Sequence, residues 1–446
     1  MKFIKIFFIT SLYSIFISCF STKETSNTEN NNIQQDSKLN TESYTSHQKI
    51  MTNEIFAENI HTVLLYKKDE PLSLPIINLG VNNKITMSFD DFNTQKRDYY
   101  FTITHCDKEW KKSNLLKSQY TQGFSQEYIN NYTRSFGTLK EYIHYRFDFP
   151  TENMLPLISG NYILQIYLND TLKINKRFFV LDEKVNITAN VKKATLIANR
   201  NSRHEIDFII NHSQLRIGNP YEEIDVIIKQ NNQDYDAKNN LKPTFIRNNE
   251  LVYNYEEKNV FDANNEFRNF NIKDLRHHSD QVQYITFDSI NNYIKLFPDI
   301  KRTFDRYVIE PDINGKFDIL NQKDLNKLTE TDYCWVYFYL PMEEICNYGD
   351  IYIMGDLSHW QLQRKFKLEY NPNTKSYEKN ILLKQGYYNY HYALNDTISN
   401  KIDVSYIEGS HYETKNDYYI YVYYKKFTDE YDQLIGLLKT SSKILF

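Results

Sequence analysis

The chain of 446 residues carries 53 Lys and Arg against 57 Asp and Glu, a formal net charge of −4. That balance provides no concentrated basic face for a nucleic-acid partner, and the length exceeds a single hydrophobic core, so roughly two to four domains are expected. With 38 Tyr and 28 Phe but 3 Trp, 11 Gly and 10 Pro, the composition suits half-buried pleated positions and a mainly β fold.

Lys2 and Lys5, followed by the mostly apolar run from Ile6 to Ile17, read as a signal peptide over residues 1–18. The run is too short to cross a hydrocarbon core of about 30 Å as a helix. Phe16-Ile17-Ser18-Cys19 is close to a lipobox, with Phe16 where Leu is usual. In such a motif a small residue precedes a cysteine that is diacylated and becomes the mature N-terminus. Cys19 is therefore the candidate lipidation site, and ordinary cleavage nearby is the alternative. Residues 19–55 are expected to form a disordered tether. Positions 20–49 hold Ser, Thr, Asn, Gln and Lys with almost nothing apolar, so no core can form from them. A flexible chain of that length reaches roughly 30 Å.

Beyond the tether, three tandem antiparallel β-sandwiches are predicted. The first spans 56–182, with ordered structure starting near Ile60. Its strands are HTVLLYKK, INLGVNNKITMSFDDF, DYYFTITHCD, HYRFDFP, GNYILQIYLN and KRFFVLDE. Tyr100-Thr102-Thr104 alternates with Phe101-Ile103 at the strand period of two. Between strands, SNLLKSQYTQGFSQEYINNY has no clean helical periodicity and reads as a long, partly ordered loop. The second sandwich spans 183–328, with Ile206-Phe208-Ile210 set against Asp207-Ile209. The third spans 329–446, and its strand–turn rhythm fits an immunoglobulin-like, early-set sandwich. The closing DEYDQLIGLLKTSSKILF is either a short helix or a final strand.

Several constellations invite chemistry. His105-Cys106 has the residue types of a thiolate nucleophile, yet neighbours on a strand face opposite ways. A histidine from elsewhere, such as His144, would have to act. Asp90-Asp91, and Glu222-Glu223 with Asp225, are carboxylate clusters that read as solvated turn or strand-end acids, because paired catalytic carboxylates need a cleft and a raised pKa on one partner. His277-His278 lies in a charged turn and makes a poor chelate alone. No glycine-rich phosphate loop, G-x-S-x-G or H-E-x-x-H occurs, so no catalytic residue, metal or cofactor is expected. Cys334 and Cys346 either pair across a hairpin or stay free and buried, as does Cys106. In the third sandwich, IYIMGDLSHW and the hairpin after it resemble glycogen-binding modules, where Trp360 would stack on a sugar. The competing reading has Trp360 packing to pin its loop.

Ser88 to Asp170, running from SFDDFNTQKRDYYFTITHCDKEWKKSNLL to PLISGNYILQIYLND, resembles the N-terminal domain of the type IX secretion system plug family. The likeness continues through HEIDFIINHSQLRIGNPYEEIDVIIKQNNQ and through NEFRNFNIKDLR, which has Asn271 where the family has Asp. It then runs through LLKQGYYNYHY, YIEGSHYETKNDYYIYVYY and DQLIG. It covers close to residues 58–440, in the family's order. A departure is Phe136-Gly137-Thr138, where the family tends to have Phe-Asn-Thr. The resemblance implies a non-enzymatic periplasmic protein that reversibly caps the periplasmic mouth of the outer-membrane translocon barrel. A lipid on Cys19 would hold it at the inner leaflet of the outer membrane. A stable cap buries about 1,200–2,000 Å² and uses Tyr, Trp and Arg anchors; the candidates are Trp110, Arg134 and Tyr145. The alternative function is a periplasmic glycan-binding lipoprotein that uses the third sandwich.

Overall fold

Period-two alternation builds the first sandwich. In the computed structural model, which describes residues 50–303, 306–319 and 328–442, Tyr100–Cys106 turns Phe101 and Ile103 into the core and leaves Tyr100 and Thr102 half-buried on the other side. This strand lies in a sheet ordered Glu54–Ile55, Thr171–Leu181, Gly160–Leu168, Tyr100–Cys106, Glu127–Tyr128, with Ile76–Asn78 added parallel to Thr171–Leu181. The facing sheet is ordered Ile60–Lys67, Ile85–Asp91, Ile143–Phe149, Tyr132–Arg134. Phe89, Tyr145, Tyr162, Leu164 and Phe178 fill the space between them. The signal peptide, Cys19 and the tether as far as residue 49 lie outside the described residues.

The tether ends earlier than expected. Glu54–Ile55 pairs with Asn175 and Ile174, and the Met51 amide donates to the Trp110 carbonyl at 2.9 Å. The long loop is also more regular than expected. Lys117–Tyr120 is a single helical turn, and Thr121–Gly123 pairs antiparallel with Met154–Pro156.

In the middle sandwich, Asn186–Lys193, Arg203–Asn211, Glu250–Tyr253 and Phe245–Arg247 form one sheet, with Val260–Asp262 beside Arg203–Asn211. The opposing sheet is ordered Lys238–Leu241, Ile224–Gln230, Asp417–Tyr424, Gln433–Ser441. Half of that sheet therefore comes from the end of the chain. DYYIYVYY explains why. Tyr418, Ile420 and Val422 face the middle core, while Tyr419, Tyr421 and Tyr423 pack with Phe179, Ile163 and Trp110 of the first sandwich. A strand covered on both faces is apolar along its whole length. The closing segment, open between helix and strand, is a strand over Gln433–Ser441.

An exchange also runs the other way. Val282–Phe287 and Asn292–Leu296 join Tyr333–Pro341, Ser376–Lys384 and Glu369–Asn371 in one sheet of the third sandwich. Arg268–Asn271 pairs with Tyr387–Asp396 in the other. The boundary drawn at 328/329 is thus crossed by hydrogen-bonded sheets in both directions. Cys106, Cys334 and Cys346 are free thiols. Among the described residues no helix is long and apolar enough to cross a membrane.

Candidate interaction site on the first sandwich

Asp90 and Asp91 end the strand Ile85–Asp91, and neither is solvated; both are fully buried. This corrects the expectation of exposed turn acids. The Asp90 carboxylate takes the Tyr333 hydroxyl at 2.6 Å and the Lys384 ammonium at 2.5 Å on Oδ2, with His144 Nδ1 at 2.6 Å from Oδ1. Burial pushes this carboxyl up, but the Lys384 ammonium and the His144 bond outweigh it and hold it below the usual carboxylate range. Asp91 accepts from Asn59 at 2.6 Å and from the Tyr99 hydroxyl at 2.9 Å. Every oxygen of the pair is engaged, and the Asp90 cluster ties the first sandwich to the third. The other acids are simpler. Glu222 and Glu223 sit in the turn Pro220–Glu223, and Asp225 binds Lys108 at 2.6 Å and Lys242 at 3.1 Å.

His105 and Cys106 part as strand geometry requires. His105 packs beside Gly160, whose φ is +141° and where an added Cβ would lie 2.6 Å from His105 Nε2. Burial lowers the imidazole to about 4. Burial also pushes the Cys106 thiol up to about 12, so at neutral pH it is protonated and a poor nucleophile. His144 is committed to Asp90. His277 is exposed and 3.0 Å from Asp274. Among the described residues no group of three or more His, Cys, Asp or Glu is placed to hold a metal.

Of the three anchor candidates, two are interior. The Trp110 ring is buried against Phe179, with the Arg177 guanidinium 4.3 Å above it. Tyr145 is fully buried, stacked on Phe89 at 5.1 Å, and its hydroxyl accepts from the Arg97 amide at 2.8 Å. Neither ring is free to meet a partner. Arg134 is exposed. Trp360 is half-buried, edge-on to Phe267 and His391 at 5.9 and 5.8 Å, with Gly315 too close to its ring to carry a Cβ.

Arg134 belongs to a surface that sequence reasoning passed over. Leu116, Phe124, Tyr128, Tyr132, Phe136 and Leu139 are all exposed, with Phe136 at 75% and Leu116 at 70%. They fall on one segment that joins the two sheet edges. Glu127–Tyr128 is the edge strand of one sheet and Tyr132–Arg134 that of the other. Large exposed apolar side chains on open sheet edges are a natural template for association. The available signal was the density of Leu, Phe and Tyr in a segment without periodicity, where no core demands them.

Residues 60–182 match the family described as type 9 secretion system plug protein 1st domain. This chain belongs to that family. The matched span contains the exposed segment, Asp90 with His144, and Trp110 with Phe179. A crystal structure of a hypothetical protein from Parabacteroides merdae ATCC 43184, at 2.30 Å resolution, is similar over 89% of this chain and all of its own, with 31% identity and a TM-score of 0.86. No protein with curated annotation matches. Plug-family membership gives the chain a role in type IX secretion and places it among envelope-associated proteins.

Proposed function

We infer that the chain is a non-enzymatic plug that caps the periplasmic mouth of the type IX outer-membrane translocon barrel by reversible steric occlusion. The observation that carries this reading is the family match over 60–182 together with the exposed apolar segment inside it. A protein-sized pore leaks solutes unless something fills it, and occlusion needs a rigid body with an adhesive surface. The sandwich provides the first and the segment from Leu116 to Leu139, with Arg134, provides the second. In this reading residues 1–18 direct export. A lipid on Cys19 then anchors the tether at the inner leaflet of the outer membrane, raising the local concentration of the cap.

The test is affinity purification of the tagged, full-length protein from its own envelope. Recovery of the translocon barrel, reduced by Phe124→Ser with Phe136→Ser, is the expected result. Glycan binding that is abolished by Trp360→Ala, with no barrel recovered, would replace the plug by the sugar-binding alternative. Metabolic labelling with a palmitate analogue, compared between the parent and Cys19→Ser, tests the anchor.

A further inference from the structure

Val282–Phe287 ends one sheet of the third sandwich and pairs on one side only, with Asn292–Leu296. A register shift between Val282 and Tyr284 leaves a regular edge over Tyr284 to Phe287. The Asp288 amide donates to the Asn291 carbonyl at 3.0 Å. Antiparallel alternation then gives the backbone groups of Tyr284 and Thr286 to the neighbouring strand and points those of Ile285 and Phe287 away from it. Neither outward amide has an acceptor among the described residues. The side chains are left open as well. Ile285 and Phe287 lie opposite Ile294 and Asn292, both buried, so they take the core side of the sheet. The sheet stops there, and Phe287 is 78% exposed.

Edge strands are normally blunted by a charge, a proline or shortness. Other edges of similar or greater length in this chain carry a charge: Lys67 in Ile60–Lys67, Lys192 in Asn186–Lys193, Asp350 in Gly349–Met354 and Lys439 in Gln433–Ser441. VQYITF carries none and has neither Pro nor Gly, the composition of a segment that pairs with another strand. The edge also adjoins the exposed segment of the first sandwich. Asn292, the partner of Phe287, donates to Asp332 Oδ2 at 3.1 Å, and the Leu139 amide donates to the same oxygen at 2.8 Å. An open row of backbone donors and acceptors is matched by another extended backbone, which neither a lipid nor a sugar supplies. We propose that Val282–Phe287 accepts an added β-strand from a partner polypeptide. The strand that fits is uncharged over the paired stretch, with apolar side chains at alternate positions to cover Ile285 and Phe287.

The probe is a synthetic peptide, QVQYITF with a lysine at each end for solubility. Laid antiparallel to the edge, it sets its Ile against Ile285 and its Thr against Tyr284 with no charge opposed. The expected result is saturable binding to the full-length protein with a Kd below about 100 µM. Hydrogen exchange over Val282–Phe287 should slow when the peptide binds. The same peptide with two adjacent amides N-methylated keeps its side chains but cannot pair, and should not bind. Thr286→Lys with Phe287→Lys puts charge on the edge and should weaken binding at least about tenfold. Both side chains are exposed, so the variant should unfold like the parent. No saturable binding at about 100 µM peptide, equal binding of the methylated peptide, or parental affinity in the lysine variant would overturn the proposal. So would slow exchange at this edge in the dilute free protein, because the chain itself or a second copy would then already cover it. None of these readouts involves the barrel, so failure here leaves the plug reading standing.

Discussion

Arg268 Nε lies 3.0 and 3.1 Å from the two oxygens of Glu408, 140 residues further along the chain. Its terminal nitrogens reach Asp299 at 3.0 Å and, again, Glu408 at 2.9 Å. Arg302 reaches the same carboxylate at 2.8 Å, and the Tyr392 amide donates to it at 2.8 Å. The arginine belongs to NEFRNF and the glutamate to YIEGSHY, two of the segments on which the family resemblance rests. Their shared logic is one buried ionic cluster inside the third sandwich.

Breaking that cluster from one side should be severe. Arg268→Ala leaves Glu408 buried with half its partners, and a loss of about 3–5 kcal/mol is expected. Arg268→Met combined with Glu408→Leu should lose less than Arg268→Ala alone, because the fully buried carboxylate is then gone and the charges that lose a partner, Asp299 and Arg302, are less deeply buried. Denaturant unfolding of the parent and the variants checks both.

The same glutamate sets a pH window. Burial pushes its carboxyl up, but Arg268 and Arg302 dominate and hold it at about 2, below its ordinary 4.5. A depressed folded-state pKa stabilises above the unfolded value and loses that contribution as pH falls through the folded one. Stability should therefore decline from about pH 4.5 towards pH 2, by roughly 3 kcal/mol from this group. In Glu408→Gln the decline over that window should be shallower, as read by unfolding midpoints at stepped pH.

Asp90→Asn should strand Lys384, whose side chain is 1% exposed, and cost about 3–5 kcal/mol. Adding Lys384→Met should restore part of that loss. Because this cluster spans the first and third sandwiches, limited proteolysis of Asp90→Asn should cut first near the junction at 328–332, while the double variant resists longer.

Thiol reactivity gives a test of burial. Cys106 and Cys334 are fully buried and Cys346 is half-exposed. Under native conditions an aromatic disulfide reagent should label Cys346 and spare the other two, with all three reacting in denaturant. Early labelling of Cys106 would contradict a thiol pushed up to about 12.

The exposed segment should behave as surface. Phe124→Ser with Phe136→Ser should change stability by no more than about 0.5 kcal/mol per site while reducing barrel recovery. A large drop in the unfolding midpoint would mean these rings are structural.

The β class and most strands were legible because alternation such as Phe101-Ile103 against Tyr100-Thr102 reports one buried face directly. Strands buried on both faces do not alternate, so DYYIYVYY declared itself a strand but not its neighbours. Its assignment to the middle sheet depends on pairing with Ile224–Gln230, nearly two hundred residues upstream, which no local pattern encodes. The same distance hid Asp90, whose lysine lies 294 residues away. Trp110 looked like an anchor because its burial depends on Arg177 and on Tyr421 and Tyr423, all remote in sequence.

The placement of Asp417–Tyr424 inside the middle sandwich has a consequence for how the protein is made. A nascent chain emerges with Ile224–Gln230 long before the strand that will flank it exists. That edge must stay unpaired, or wrongly paired, until Asp417–Tyr424 has been translated. Late closure of this kind slows folding and leaves the growing chain open to aggregation. A messenger or protease that removes only the tail would do more than shorten the protein: it would take two strands out of a sheet and expose the middle core to water.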